Sequence, residues 1–188
     1  MHIPKIIAFA GSNRKNSINV NALKFAVAGA QAAGAEVTLL NLADFPLPIY
    51  DGDWHAEHGI PAPLLALHPQ LVAADGLLIA SPEYNASITP LLKNTIDWLS
   101  QSINGSAGNA AFLDKPTGLI GASAGAFGGV RALPHVATIF SNLGAIVLPI
   151  MAVPHADKIG AYGGEVLNQR AVDGLKTLGA RVAKFASR

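Results

Sequence analysis

The sequence GLLIASPEYNASITPLLKNTIDWLS, residues 76–100, contains an apolar run, a polar loop and a helical pattern in immediate succession. Residues 76–80 are continuously apolar, which is typical of a strand buried on both faces of a parallel sheet. Thr89 is a favoured helix N-cap, and Pro90 suits the first helical position. This strand–loop–helix unit predicts an α/β fold, and it raises the question of why a buried strand opens onto Ser-Pro-Glu-Tyr-Asn.

The same alternation of apolar runs and longer helical segments recurs along the chain. It predicts an α/β fold with a five-stranded parallel sheet covered by helices on both faces. The predicted strands are residues 5–10, 36–42, 76–80, 117–121 and 145–153. The predicted helices are residues 19–33, 64–74, 89–101, 130–143 and 165–186. Residues 44–63 contain four prolines and two histidines and are predicted to form a loop able to reach over a site.

Composition favours one globular domain spanning residues 1–188, because hydrophobic residues make up 51% of the chain and charged residues only 13%. A net charge of +1 gives no electrostatic reason to expect a nucleic-acid or membrane partner. The chain has no cysteine, which excludes disulfides and thiolate chemistry. The apolar run at residues 6–10 is too short for a signal peptide, so we expect a cytoplasmic protein.

Polar residues collect in three loops that follow predicted strands. The first loop, GSNRKNSIN, covers residues 11–19; the second loop, SPEYNAS, covers residues 81–87; the third loop, ASAGAFGG, covers residues 122–129. Ligands of open parallel α/β sheets bind at the carboxyl ends of the strands. The three loops are therefore predicted to meet at one ligand-binding edge.

The first loop combines small polar residues with Arg14 and leads into a helix N-terminus, which favours an anion. Ser12, Ser17 and Asn19 can donate hydrogen bonds to a phosphate monoester, and Arg14 can add a charge-assisted one. The alternative is that Ser17 or Asn19 only caps the helix. Neither GxxxxGK[ST] nor GxGxxG occurs, which disfavours an ATPase or a Rossmann dehydrogenase.

The second and third loops suit a flat heterocycle. Pro82 stiffens the exit from the strand, and Tyr84 with Asn85 offers a planar face and hydrogen-bonding groups. The glycines of the third loop, including Gly125, allow the backbone to approach a planar ligand. The alternatives are a simple turn before Thr89 and a mobile surface connection.

Taken together, GSNRKNSIN, PEYNASITPLLKNTIDWLS and GASAGAFGG resemble the NADPH-dependent FMN reductase family, a flavodoxin-like group that includes quinone, azo-dye and metal-ion reductases. The resemblance runs from about residue 5 to about residue 155. It implies a flavodoxin-like three-layer sandwich, a sheet of order 2-1-3-4-5, and noncovalently bound FMN. Two departures are Asn13, where an aliphatic residue is common, and a C-terminal end with Phe185 as its only aromatic residue.

The resemblance also implies which residues bind the cofactor. The positions matching the family's phosphate side are Ser12, Arg14, Ser17 and Asn19. The positions matching the segment along the flavin ring and ribityl chain are Pro82, Glu83, Tyr84 and Asn85, and Ser123 with Gly125 matches the loop at the other edge of the ring. Members of the family are usually dimers or tetramers, so a homodimer or homotetramer is expected, and Glu83 is a candidate for an ion pair across a subunit boundary.

The activity implied is transfer of hydride equivalents from NADPH or NADH through FMN to a small-molecule acceptor, which is a quinone, an azo compound, a metal ion or free flavin. No catalytic side chain is required, since the flavin carries the chemistry. The sequence does not distinguish among these acceptors or between the two nicotinamide cofactors.

Three rival functions remain to be weighed. GASAG, residues 121–125, fits the GxSxG pattern of a serine hydrolase, but no acidic residue lies between Ser123 and His155, so the required order of the triad is not met. A flavodoxin-type electron carrier is the main alternative, although such carriers have acidic surfaces and this chain is nearly neutral. His55 and His58 lie near two aspartates, yet such loops are more often solvated, and no metal site is expected.

Overall fold

The computed structural model describes residues 2–188 of the chain. Its strands are β1 (Lys5–Ala10), β2 (Glu36–Leu40), β3 (Gly76–Ala80), β4 (Pro116–Ala122), β5 (Ile146–Val147) and β6 (Met151–Val153). Its α-helices are α1 (Ile18–Ala32), α2 (Gly52–His58), α3 (Ala62–Val72), α4 (Pro90–Leu99), α5 (Leu133–Asn142) and α6 (Gln169–Ala186). Within residues 2–188, none of these helices combines the length and the apolarity needed to cross a lipid bilayer.

The sheet has the order β2-β1-β3-β4-β5, and every strand pair is parallel. Helices α1 and α6 contribute to a hydrophobic core on one face, and α3, α4 and α5 contribute to a second core on the other face. The predicted flavodoxin-like three-layer α/β fold and its strand order are therefore confirmed.

The central strands are apolar at every position because they contribute to both cores. In β1, Ile6 and Ala8 belong to the core under α1 and α6, whereas Ile7 and Phe9 belong to the opposite core. Successive side chains of a strand point to opposite faces of the sheet, so a strand covered on both sides needs no polar alternation. This explains why a continuous apolar run marked these strands in the sequence.

The fifth predicted strand, residues 145–153, is two short strands in the structure. β5 pairs with the beginning of β4, and β6 pairs with its end at residues 120–122. Pro149 lies between them and has no N–H group to donate to the ladder. The prediction of one continuous strand was therefore wrong, although both parts remain parallel to β4.

Residues 44–63 are not wholly irregular, as the sequence suggested. They include α2, whose N-cap Asp51 accepts a hydrogen bond from the N–H of Trp54, and they are attached to α4. The carbonyl oxygen of Pro48 accepts hydrogen bonds from Trp98 Nε1 at 2.8 Å and Asn94 Nδ2 at 2.9 Å. These bonds hold the segment against α4.

Two helices begin later than predicted. α5 begins at Leu133 rather than at residue 130; its N-cap is Ala132, and the chain before it is non-helical at Gly128 and Gly129, which have positive φ angles of 59° and 82°. α6 begins at Gln169 rather than at residue 165, and the side chain of Asn168 accepts the N–H of Ala171 as its N-cap.

Candidate functional site

The three polar loops lie side by side at the carboxyl edge of the sheet. The N–H of Gly11 donates to the carbonyl of Ala80 at 2.8 Å, and the N–H of Ser81 donates to the carbonyl of Ile120 at 2.8 Å. The hydroxyl of Thr89, the N-cap of α4, donates to the carbonyl of Gly11 at 2.8 Å. The first loop is thus held against the second loop and the start of α4, as the ligand-edge rule predicts.

The first loop presents donors and a cation around the N-terminus of α1. Ser17 is the N-cap, and its hydroxyl oxygen accepts the N–H of Val20 at 3.4 Å. The N–H groups of Ile18 and Asn19 are in the first helical turn and have no intrahelical acceptor. Arg14 is exposed, and no carboxylate of residues 2–188 lies within 4.0 Å of its guanidinium. The loop therefore offers unused hydrogen-bond donors and an unpaired positive charge.

The structure does not bring the side chain of Asn19, a predicted phosphate-side residue, to the surface of the loop. It is only 4% exposed, and both of its side-chain polar atoms bind Ala122. Its Nδ2 donates to the carbonyl of Ala122 at 2.8 Å, and its Oδ1 accepts the N–H of Ala122 at 3.0 Å. Asn19 therefore joins α1 to the end of β4 and positions the first loop relative to the third.

The second loop makes a tight turn that exposes an aromatic ring. Tyr84 and Ser87 exchange two backbone hydrogen bonds of 3.0 Å, and Asn85 and Ala86 between them have φ angles of 50° and 64°. Two positive φ angles at the central positions are the mark of a type I′ turn, in which asparagine is favourable and alanine is strained. The Tyr84 side chain remains 49% exposed at the edge of the sheet.

Glu83 forms its ion pair within the chain. Its carboxylate accepts hydrogen bonds from Arg131 Nε at 2.6 Å, from the Arg131 N–H at 3.0 Å and from the Ala132 N–H at 3.2 Å. Burial alone would raise the pKa of Glu83, but the hydrogen bonds from Arg131 and Ala132 and the Arg131 charge outweigh it and lower the pKa. The partner is thus 48 residues away in the same chain, not the subunit-boundary partner considered from the sequence.

The third loop is closely packed against the chain that follows β6. Adding a Cβ atom at Gly128 would clash with the backbone of Val153 and Pro154. The carbonyl of Gly125 accepts the N–H of His155 at 3.1 Å and the hydroxyl of Ser123 at 3.2 Å. The Ser123 hydroxyl is thus bound to a backbone carbonyl, which does not resemble the serine–histidine contact of a hydrolase.

Two polar contacts near these loops had no local signal in the sequence. One is the Glu83–Arg131 pair described above, and the other is a hydrogen bond of 2.9 Å between the hydroxyl of Ser87 and Nδ1 of His135. Both join the second loop to the beginning of α5. Because the partners are 48 residues apart, only the folded chain brings them together.

A cleft of about 920 Å³, here called the outer cleft, extends from the first loop away from the second and third loops. It lies between the exposed side of α1, the end of β2 and residues 156–167. None of its lining residues belongs to the second or third loop. The polar and charged residues of this lining are Ser12, Asn13, Arg14, Lys15, Asn16, Ser17, Asn21, Lys24, Asn41, Asp157 and Tyr162.

The family's sequence profile, described as NADPH-dependent FMN reductase, matches residues 4–158, which include all three loops. The chain belongs to this family. The residues present fit FMN: the first loop combines unsatisfied N–H groups, hydroxyls and the unpaired Arg14, which suit a phosphate monoester. This NADPH-dependent FMN reductase homologue is therefore an oxidoreductase that uses FMN and NAD(P)H.

Relatives extend the family match to nearly the whole chain. The chain is 34% identical over 174 residues to a quinone reductase of Escherichia coli, covering 91% of this chain and 89% of the relative. It is 34% identical over 169 residues to an NAD(P)H-dependent FMN reductase of Pseudomonas aeruginosa, covering 89% of this chain and 86% of the relative.

Solved structures of flavoenzymes share the fold. The structure of FerB from Paracoccus denitrificans, a flavoenzyme NAD(P)H:(acceptor) oxidoreductase, superimposes with a TM-score of 0.81 at 26% identity and covers 98% of both chains. A flavodoxin from the domain Archaea superimposes with a TM-score of 0.60 at 10% identity, which shows the shared fold alone.

Proposed function

We propose that this FMN-dependent NAD(P)H oxidoreductase reduces quinones, using a single FMN-binding domain that spans residues 1–188. The observation that carries the proposal is the first loop, where the unpaired Arg14 lies beside the free N–H groups of the α1 N-terminus. The quinone reductase of Escherichia coli supports the choice of acceptor.

In this proposal each of the three loops binds a different part of FMN. Ser12, Arg14 and Ser17 bind the phosphate, while Asn19 fixes the loop through Ala122. Pro82, Glu83, Tyr84 and Asn85 would contact the ring and ribityl chain, and Ser123 and Gly125 would contact the other edge of the ring. Glu83 acts through its backbone, because its carboxylate is already bound to Arg131.

When bound, FMN would supply the hydride- and electron-transfer chemistry between NAD(P)H and the acceptor. The chain orients the ring and supplies donors to its polar edge. The Tyr84 N–H is used within the turn, which leaves the N–H groups of Glu83 and Asn85 without an acceptor in residues 2–188. These two N–H groups would be available to donate hydrogen bonds to the polar edge of a bound flavin.

We further propose a cytoplasmic homodimer or homotetramer that acts on small molecules and needs no nucleic-acid or membrane partner. Phe127 is 60% exposed and Val130 is 43% exposed beside the third loop, which supports burial of this region by a second subunit. Analytical ultracentrifugation tests the assembly, and a protein that sediments as a monomer at micromolar concentration would contradict it.

The Arg14→Ala variant tests the cofactor site. A charge-assisted hydrogen bond to phosphate contributes about 1.5 to 3 kcal/mol, so the dissociation constant for FMN is expected to rise by about one to two powers of ten. Isothermal titration calorimetry measures FMN binding, and NADPH oxidation with 1,4-benzoquinone measures activity at saturating FMN. Arg181→Ala in α6 is the control and should bind FMN normally. Equal FMN affinity in Arg14→Ala would remove Arg14 from the site.

A further inference from the structure

The second loop contains a residue in a backbone conformation that its side chain disfavours. In the turn formed by residues 84–87, Asn85 has a φ angle of 50° and Ala86 has a φ angle of 64°. Asparagine tolerates this left-handed region, whereas the Cβ atom of alanine makes it strained. A strained backbone persists only where the surrounding structure holds it, and such residues are concentrated at functional sites. The contacts that hold Ala86 are therefore of interest.

Both ends of the turn are attached to the beginning of α5. Before the turn, the carboxylate of Glu83 accepts the N–H of Arg131 at 3.0 Å and the N–H of Ala132 at 3.2 Å. At the last residue of the turn, the hydroxyl of Ser87 is hydrogen-bonded to Nδ1 of His135 at 2.9 Å. The strained residue thus lies between two attachments to the same helix.

The attachment through Glu83 is explained by the needs of α5. The N-cap of this helix is Ala132, which has no side-chain oxygen to accept the free N–H groups of the first turn. Glu83 supplies that acceptor, and its negative charge is favourable at a helix N-terminus. Arg131, which pairs with the same carboxylate, lies over the ring of Phe127 at 4.7 Å from the ring centroid. Capping and charge pairing account for this contact.

The contact between Ser87 and His135 has no such explanation. His135 is the third residue of α5 and is exposed, so water can satisfy its ring nitrogens. Ser87 caps no helix, because the N-cap of α4 is Thr89. What the contact does is fix the position of the residue that follows Ala86. It therefore points to a role in holding the strained turn.

The beginning of α5 is a firm base for this attachment. A Cβ atom added at Gly129 would lie 3.0 Å from the Cα atom of Gly121, so the chain that enters α5 lies directly on the end of β4. The N–H of Val153 in β6 donates to the carbonyl of Gly128 at 3.3 Å. The first turn of α5 is thus fixed relative to two strands of the sheet, and His135 is fixed with it.

We propose that His135 is a positioning residue for the cofactor. Through Ser87 it holds Ala86 in the strained turn, and so keeps the free N–H groups of Glu83 and Asn85 in place for FMN. Donors that are fixed before a ligand binds need no further ordering when it binds. This inference rests on the proposed function, which assigns the second loop to FMN, and adds to it a residue outside the three loops.

The His135→Leu variant tests the attachment. It removes one hydrogen bond to the second loop, so the dissociation constant for FMN measured by calorimetry should rise about threefold to tenfold. His135→Asn keeps a polar atom near the position of Nδ1 and should bind FMN as the unaltered protein does. Thr138→Val is the matched control, because it removes from α5 a 2.9 Å hydrogen bond to the carbonyl of Pro134. Equal FMN affinity in His135→Leu and the unaltered protein would overturn the inference.

The double variant His135→Leu/Ala86→Gly tests the role of strain. Glycine adopts a positive φ angle without strain, and Asn-Gly is a favoured pair for this type of turn. With glycine at position 86 the turn no longer needs the attachment, so the double variant should recover most of the FMN affinity that His135→Leu loses. A defect of the same size in the double variant would show that His135 does not act on the strained turn.

Amide hydrogen exchange in the FMN-free protein separates this inference from the proposed function. The N–H groups of Tyr84 and Ser87 donate within the turn. Their exchange should be faster in His135→Leu and slow again in the double variant, whether or not FMN is a ligand. Unchanged exchange in His135→Leu would overturn the inference, whereas an unaltered protein that binds no FMN would overturn the proposed function.

Discussion

Lys115 and Arg14 are cations at opposite edges of the same sheet, and their surroundings differ in every respect. Lys115 is 7% exposed, and its ammonium group donates to the carbonyls of Leu71, Val72 and Ala74 at 2.7, 2.8 and 2.5 Å. Arg14 is exposed and has no carboxylate partner in the described part of the chain. Lys115 therefore stabilises the fold, whereas the guanidinium of Arg14 is available to a ligand.

The difference follows from what each edge contains. At the amino edge, α3 ends beside the start of β4, and the last carbonyls of a helix need donors that the helix itself cannot supply. Lys115 supplies them. Burial lowers the pKa of Lys115, and the Asp75 carboxylate opposes that shift. At the carboxyl edge, the α1 N-terminus has free N–H groups and needs acceptors, which a phosphate provides.

Replacing Lys115 by Met should therefore have the largest effect on stability. Met keeps most of the aliphatic volume but leaves three carbonyls without their shared donor. A buried unsatisfied acceptor costs about 1 to 3 kcal/mol, so we expect the free energy of unfolding to fall by about 3 kcal/mol. Urea denaturation followed by circular dichroism measures this change.

The control for Lys115→Met is Lys93→Met, because Lys93 forms a partly exposed i,i+4 pair with Asp97. Such pairs contribute about 0.5 kcal/mol or less, so the control should unfold at nearly the same urea concentration as the unaltered protein. If both variants lost the same small amount of stability, Lys115 would be an ordinary surface lysine and the contrast between the two edges would not hold.

The same contrast explains which parts of the fold could be read from the sequence. β1 and β3 follow from continuous apolar runs, a signal that depends on local residues, whereas the order of the sheet was implied by the resemblance to the reductase family. The helix α2 was missed although Asp51 is a favourable N-cap, because a seven-residue helix between prolines has little periodicity. The split between β5 and β6 depends on Pro149. It was not predicted because residues 145–153 are continuously apolar and were therefore interpreted as one strand.

Predictions for the site were limited because several of its contacts join residues that are far apart in the sequence. The sequence placed Ser12, Arg14 and Ser17 on a loop next to a helix N-terminus, and the structure has them there. It could not show that Asn19 binds Ala122, because the two residues are 103 positions apart. The outer cleft was missed for the same reason, since α1, β2 and residues 156–167 come together only in the folded chain.

Glu83 tests an intermediate case, a charged residue at the carboxyl edge that is already paired. The Glu83→Gln variant keeps an acceptor for the Ala132 N–H but loses the charge opposite Arg131. We expect a loss of about 1 kcal/mol in the free energy of unfolding at pH 7. Its FMN affinity should fall less than that of Arg14→Ala, because the Glu83 carboxylate is bound to Arg131 and Ala132 and is not free for a ligand.

The pH dependence of stability gives Glu83 a second measurement. Its folded-state pKa is lowered from 4.5, so its contribution is present above pH 4.5 and is lost as the pH falls through the folded-state pKa. Urea denaturation from pH 7 to pH 3 should show a shallower loss of stability in Glu83→Gln than in the unaltered protein. Parallel curves for the two proteins would mean that the Arg131 pair does not stabilise the fold.

His68 on α3 is an exception to the rule that polar atoms far from the carboxyl edge are satisfied. It is 4% exposed, and its Nε2 has no hydrogen-bond partner among the described residues. Burial lowers the pKa of His68 below 6.5, because the charged imidazolium would be desolvated. The neutral ring is therefore the form that the fold accepts.

The sign of the expected pH effect follows from that lowered pKa. The unfolded chain binds a proton at His68 near pH 6.5 and the folded chain does so only at lower pH, so stability is complete above pH 6.5 and declines below it. The decline from one such group is at most about 1.4 kcal/mol per pH unit. His68→Leu should reduce the change in urea midpoint between pH 7 and pH 5. The control His58→Leu, at an exposed position, should show the same change in midpoint as the unaltered protein. If His68→Leu and the unaltered protein showed the same change of urea midpoint with pH, the buried ring would have a hydrogen-bond partner or water at Nε2. The core beside α3 would then be more accessible to water than the buried Lys115 implies.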